Sequence, residues 1–177
     1  SYGHGLFFCG EKNGACMLAA SAALHFGIGL VTVFGTPVPA APFDFMYTLQ
    51  LPENFSAAMV GSGLGRSVDA QARALDFLSQ ELVRERPLIL DADILHNAKL
   101  PELLPLFKAP ILTPHPKEFQ SLLANSGLAQ VSVAEIQEHR FEYLRLFCGA
   151  FPQAVIVLKG AYPLIGCGNQ VFVNSLG

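Results

Sequence analysis

Six short apolar runs, none alternating with polar residues, recur at 5–9, 30–34, 57–60, 87–90, 111–112 and 154–158. A strand with one wet face alternates, whereas a strand buried on both faces does not. Helical periodicity fills the intervals, over 15–26, from Val68, over 100–107, from Lys117, and from Ser132 toward Phe147. Strands alternating with helices give an α/β fold, here a three-layer α/β/α arrangement around a mostly parallel sheet. Its crossovers are expected to be right-handed. A chain of 177 residues supplies one such domain, 1–177, with a sizeable core.

Local signals refine the plan. Ser67 is a candidate cap for a helix with Leu75, Leu78 and Leu82 on one stripe. Phe119, Leu122 and Leu123 mark the buried face of the helix opening near Pro116. Ser132 and Glu135 form a capping-box pair before a helix with Ile136, Tyr143 and Phe147 inward. Pro37, Pro39, Pro42 and Pro52 make 36–56 an irregular connection, with a short strand near 46–49. Gly166-Cys167-Gly168-Asn169, between apolar runs, is a hairpin signature.

Only 14% of the residues are charged, against about 25% in an average domain. Surface covered by a partner chain or by further sequence would account for that, and a homo-oligomer is expected. The net charge of -3 and the lack of a basic run exclude nucleic acid as a ligand. Four cysteines with no C-x-x-C and no His at metal spacing read as reduced thiols of a cytoplasmic protein, without zinc. Between Lys12 and Asp44 no residue is formally charged, yet Gly27 and Gly29 interrupt the run. It reads as a core helix and strand rather than a membrane span, and no basic n-region of a signal peptide precedes it.

In a parallel sheet the carboxyl ends of the strands share one edge, where ligands of open α/β sheets bind. Gly10, Gly61, Asp91, Thr113 and Lys159 should line it. Pro114 and Pro116 fix His115 on a stiff strand-to-helix turn, and the helix dipole there favours neutral imidazole. His115 serves a ligand or merely caps the helix. Gly61, Gly63 and Gly65 are spaced G-x-G-x-G, without the lysine of a P-loop or the spacing of a dinucleotide fingerprint. They admit a ligand to backbone amides, or they form a tight crossover turn. Asp91 and Asp93, two apart, are placed for a metal-bound water or a hydroxyl. The alternative is that Asp93 caps a helix and Asp91 binds loop amides. Lys159 either neutralises a phosphate, with Gly160 giving room, or is a solvated strand-end lysine. His4, His25, His96 and His139 read as structural or surface groups.

Seven segments in this order carry a resemblance: Tyr2-Gly3-His4, Gly14-Ala15, Gly-Ile-Gly-Leu-Val-Thr-Val at 27–33, Gly-Ser-Gly-Leu-Gly at 61–65, Leu-Asp-Ala-Asp at 90–93, Leu-Thr-Pro-His-Pro-Lys-Glu-Phe at 112–119 and Val-Leu-Lys-Gly-Ala at 157–161. Together they resemble the ADP-dependent NAD(P)H-hydrate dehydratases of the ribokinase-like superfamily. The resemblance implies a ribokinase-like fold and repair of hydrated NADH or NADPH at the expense of ADP or ATP with Mg2+. The ring hydroxyl is phosphorylated and phosphate is then eliminated. It implies that Ala15, Gly63 and His115 contact the hydrated dinucleotide, with Gly61, Gly65, Asp91 and Asp93 beside them. Lys159, Gly160 and Ala161 would lie near the nucleotide phosphates.

The chain differs from the family pattern in a shorter loop after Gly10 and in His96, where Asn is usual. It also stops before the Gly-rich segment that supplies the family's base. No catalytic residue and no metal ligand is therefore assigned within 1–177; the base is expected beyond Gly177, and these residues alone are not expected to turn over. The competing readings are a ribokinase-like kinase of a small vitamin-precursor alcohol and a truncated, non-catalytic binding subunit.

Overall fold

A computed structural model describes residues 2–35 and 44–175. The segment 36–43, with Pro37, Pro39 and Pro42 of the expected irregular connection, lies outside the described residues.

The first apolar run is β1 (His4–Cys9). A turn leads to α1 (Asn13–His25) and then β2 (Leu30–Gly35). β3 (Met46–Thr48) and β4 (Ala57–Val60) follow. Ser67 accepts from the Ala70 N–H and starts α2 (Val68–Ser79). Gln80 is extended there, with ψ 130°, so that helix stops and a short α3 (Glu81–Arg84) begins. The buried stripe therefore runs through Ala74, Phe77, Leu78 and Val83 rather than Leu75 and Leu82. β5 (Pro87–Leu90), a 3-10 turn over Ala92–His96 and α4 (Leu100–Leu103) come next.

β6 (Ala109–Leu112) and α5 (Pro116–Asn125) flank the proline turn. The helix expected from Ser132 is two, α6 (Val133–Glu138) and α7 (Arg140–Ala150), broken at His139, whose φ of -117° and ψ of 39° are not helical. β7 (Val155–Leu158) and the hairpin β8 (Leu164–Cys167) and β9 (Gln170–Val173) complete the described chain. Gly168, at φ +53°, supplies the left-handed residue of that hairpin.

The nine described strands lie in the order β3-β2-β1-β4-β5-β6-β7-β8-β9. Pairing is parallel from β3 to β7 and antiparallel across β8 and β9. The chain steps outward from β1 to β3 and returns at β4 on the other side of β1. This reversal opens a crevice beyond the carboxyl ends of β1 and β4.

Both faces of β1 are buried, which explains its unbroken apolar run. Leu6 and Phe8 enter the larger core, while Phe7 and Cys9 enter a smaller one with Cys16 and Ala20 of α1. In the larger core Phe147 is fully buried against Phe119 and Phe151, at ring-centroid distances of 5.7 and 4.8 Å. Each such side chain contributes about 1.5–3 kcal/mol of burial. The three layers are uneven. Among the described residues α1 is the helix packed on the smaller core, and Met59, Ile89 and Ile111, paired across β4 to β6 on that side, are only half-buried. No described helix is long and apolar enough to cross a membrane.

Candidate functional site

Because β1, β4, β5, β6 and β7 are parallel neighbours, Gly10, Gly61, Asp91, Thr113 and Lys159 do share one edge. The turn after β4 is stitched across the switch point to the turn after β1. The Glu11 N–H donates to Leu64 O at 3.1 Å and the Lys12 N–H to Gly63 O at 2.8 Å. Gly61, Gly63 and Gly65 have φ of +122°, +68° and +86° and are all buried. A Cβ on Gly61 would overlap Asp91 O, on Gly63 Lys12 O, and on Gly65 the Glu11 carboxylate. The three glycines thus answer first to chain packing, as a tight crossover turn requires. Exposed Ala15 abuts this turn, its Cβ 3.2 Å from where a Gly63 Cβ would lie.

Asp91 is the hub of the edge. Its Oδ1 accepts from Lys159 Nζ and Thr113 Oγ1, both at 2.6 Å, and Oδ2 accepts from Ser62 Oγ at 3.4 Å. Burial pushes its pKa up; the hydrogen bonds from Lys159 and Thr113, the Lys159 charge and the Ala92 backbone outweigh it, leaving the carboxyl below its usual range. Ala92 between Asp91 and Asp93 has φ +55°; Asp91 meets Ser62, whereas Asp93 turns to the other end of the same 61–65 turn. There it accepts from the Gly65 N–H at 3.0 Å and from Arg66 Nε at 3.5 Å. Neither caps the following 3-10 turn through its side chain.

His115 caps α5. Its Nδ1 accepts from the Lys117 and Glu118 N–H groups at 3.2 Å each, while Glu118 Oε2 accepts from the His115 N–H at 2.7 Å. A ring nitrogen accepting two amides carries a lone pair, so the proton sits on Nε2, 3.1 Å from Glu118 Oε1. The capping role foreseen as the alternative is therefore present, and the ring side chain is still 47% exposed.

Lys159 reaches Asp91 by its amine and Pro114 O by its N–H, at 2.8 Å. Gly160 and Ala161, both exposed, follow it. Beneath this turn Arg140 donates to Leu158 O, Lys159 O and Tyr162 O at 3.1, 3.4 and 3.1 Å.

Thr113 lies on the edge as expected and bonds Asp91; Glu118 and Arg140 are the edge residues to which the sequence pattern assigned no role. Glu118, three residues after His115, was open to detection as a capping pair; Arg140, 19 positions from Lys159, was not. His96 is structural, with Ser121 Oγ 2.7 Å from its Nδ1. Burial, then the Arg66 charge, lowers its pKa. His4 joins strands instead: its Nε2 lies 2.7 Å from Thr32 Oγ1 and its Nδ1 contacts Asn54 O. A polar cavity of about 310 Å3 borders Asp93, His96, Arg66 and Asn97. The larger cavity, about 860 Å3, is apolar, lined by Phe8, Phe34 and Phe77 away from these charges. Chemistry favours the edge, where an ammonium, an exposed amide turn and a neutral imidazole occur together.

Residues 6–177 match a family model described as NAD(P)H-hydrate dehydratase. The bifunctional NAD(P)H-hydrate repair enzyme of Helicobacter pylori is 35% identical over 180 residues, 99% of this chain and 36% of that protein. The ADP-dependent (S)-NAD(P)H-hydrate dehydratase of Neisseria meningitidis is 32% identical over 181 residues, 93% of this chain and 58% of that protein. The chain thus spans between about a third and three fifths of these relatives' lengths. An ADP/ATP-dependent NAD(P)H-hydrate dehydratase of Bacillus subtilis, co-crystallised with ATP/Mg2+ and soaked with CoA, superposes with a TM-score of 0.74 at 28% identity. That match covers 99% of this chain and 66% of that one.

Proposed function

This chain belongs to the NAD(P)H-hydrate dehydratase family, and on that premise we propose that it binds hydrated NADH or NADPH and an adenine nucleotide along one sheet edge, for cofactor repair. In the proposed reaction the hydroxyl of the hydrated nicotinamide ring takes a phosphoryl group from ADP or ATP. The ring nitrogen then pushes out phosphate, a far better leaving group than hydroxide, and loss of a proton from the adjacent ring carbon restores the dihydropyridine.

The observation that carries this reading is the Asp91–Lys159 pair at the centre of the edge, with the exposed Gly160–Ala161 turn next to it. An ammonium parked on a carboxylate is held ready, at low entropic cost, for a polyanion. Positioning and electrostatic stabilisation are what phosphoryl transfer chiefly requires of a protein. Ala15 and Gly63, neighbours across the switch point, and the exposed His115 ring are the proposed dinucleotide contacts; Gly61, Gly65 and Asp93, which accepts from the Gly65 N–H, shape that turn.

Magnesium would supply charge neutralisation between phosphates. Among the described residues no cluster of three acidic, His or Cys ligands occurs. That fits an ion carried mainly by phosphate oxygens and water, with Asp91 as the carboxylate in contact with Lys159. Reduced cysteines fit a cytoplasmic setting, and the half-buried row at Met59, Ile89 and Ile111 fits burial by further protein.

Calorimetry with NADPH, with ADP and Mg2+, and with thiazole and pyrimidine alcohols tests the reading. Binding of the first two ligands and of neither alcohol is expected. Binding of an alcohol without the dinucleotide would transfer the chain to the vitamin-precursor kinases.

A further inference from the structure

We propose that Arg140 is a positioning residue for the nucleotide end of this edge, setting the 158–162 turn as an anion cradle. The inference rests on the reading above, that the Lys159 turn meets nucleotide phosphate.

Arg140 is the first residue of α7, placed under the turn by the break at His139. Its guanidinium takes up three carbonyl oxygens of one turn: Leu158 and Lys159 through Nη2, at 3.1 and 3.4 Å, and Tyr162 through Nη1, at 3.1 Å. A planar, rigid fork of donors does this; a lysine ammonium does not reproduce it.

The consequence follows from peptide geometry. In a trans peptide unit the C=O and N–H point in opposite directions. With Leu158 O drawn to Arg140, the Lys159 N–H points the other way, and it does so onto Pro114 O at 2.8 Å. With Lys159 O drawn to Arg140, the Gly160 N–H must likewise turn away from the guanidinium, and Gly160 is exposed. Three oxygens that would repel a phosphate are thereby withdrawn, and an amide donor is left beside the Lys159 ammonium.

Gly160 belongs to the same device. A Cβ there would lie 2.8, 3.0 and 3.1 Å from Arg140 Nη2, Cζ and Nη1. Its φ is not left-handed, so the glycine serves close approach of the guanidinium rather than backbone freedom. Arg140 Nε is buried without a hydrogen-bond partner among the described residues. Stability alone disfavours such a donor, which makes the side chain's hold on the turn its more evident use.

The test is calorimetric titration of the full chain with ADP and Mg2+, and separately with NADPH, in four variants. Arg140→Met keeps the aliphatic stem and removes the donors; Gly160→Ala adds the methyl; a double variant combines them; Lys159→Met is the reference. Arg140→Met and Gly160→Ala are each expected to weaken ADP at least tenfold, with NADPH affinity changed less than twofold. The double variant should be no weaker than the worse single, because the methyl fits where the guanidinium was. Should Arg140→Met fail to fold, Gly160→Ala carries the same expectation alone. Loss of ADP in Lys159→Met but not in the other variants would overturn the role of Arg140 and leave the wider reading standing. Losses that multiply in the double variant, or an equal loss of NADPH, would also overturn it. Wild-type protein that takes no ADP would overturn both.

Discussion

Lys159 Nζ and Asp91 Oδ1 lie 2.6 Å apart, joining the ends of β7 and β5 across the intervening β6. Thr113, at the end of that middle strand, donates to the same oxygen. Three consecutive strands are therefore tied at one atom.

That tie sets a pH dependence. Asp91 has its folded pKa depressed by Lys159 and Thr113 against the opposing effect of burial. A depressed carboxylate stabilises the fold above its unfolded pKa, about 3.9, and the contribution disappears as pH falls through the folded value. Asp91→Asn is expected to cost about 1 kcal/mol at pH 7, reduced from a fully buried pair because Lys159 is 45% exposed. It should also flatten the acid limb of a plot of melting temperature against pH. An unchanged acid limb would remove Asp91 from its place as hub.

The glycine turn gives a contrast between two alanine substitutions. Gly63→Ala forces a Cβ onto Lys12 O at φ +68° and should destabilise by more than about 1 kcal/mol. Gly149→Ala in α7 meets nothing within 4 Å and should stabilise by about 0.5–1 kcal/mol. Urea denaturation of both measures the difference; equal effects would contradict the packing described for the turn.

His115 combines a cap with an exposed ring, and the two roles separate by substitution. His115→Ala should cost about 0.5–2 kcal/mol of stability. His115→Asn restores a capping acceptor and should melt like the wild type, yet lose about tenfold in NADPH affinity if one hydrogen bond goes. Retained affinity in His115→Asn would confine His115 to capping.

The cysteines should differ in reactivity. Cys167 is partly exposed, while Cys9, Cys16 and Cys148 are buried. Burial, with Cys167 nearby, pushes the Cys148 thiol up to about 11. A hydrogen bond from Cys16 lowers Cys9, but Cys9 has no exposed surface. Alkylation at pH 8, followed by mass spectrometry, should modify Cys167 first and the others only on unfolding.

Much of this edge was legible before any coordinates. Runs such as 5–9 and 87–90 show their burial by failing to alternate, and the prolines around His115 reveal a strand-to-helix turn. Other features depend on single dihedral angles or on distant partners. Nothing in Leu-Asp-Ala-Asp announces that Ala92 adopts φ +55°, with Asp91 on Lys159 and Thr113 and Asp93 on Gly65 and Arg66. The break at His139 leaves an intact helical pattern around it, and Arg140 shows its role only through carbonyls 18 to 22 positions away. The glycines were open to either a ligand or a tight turn, and the sequence could not show that Asp91 O, Lys12 O and Glu11 lie where their Cβ atoms would be, contacts between loops far apart in the chain.

Crystals soaked with NADPH and with ADP and Mg2+ test the central proposal most directly. The predicted result is density for the dinucleotide against Ala15, Gly63 and His115, with phosphate density at Lys159 and Gly160 and the Lys159 amine drawn from Asp91. Ligand density in the apolar cavity between Phe8, Phe34 and Phe77, with the carboxyl edge of the sheet bare, would contradict it.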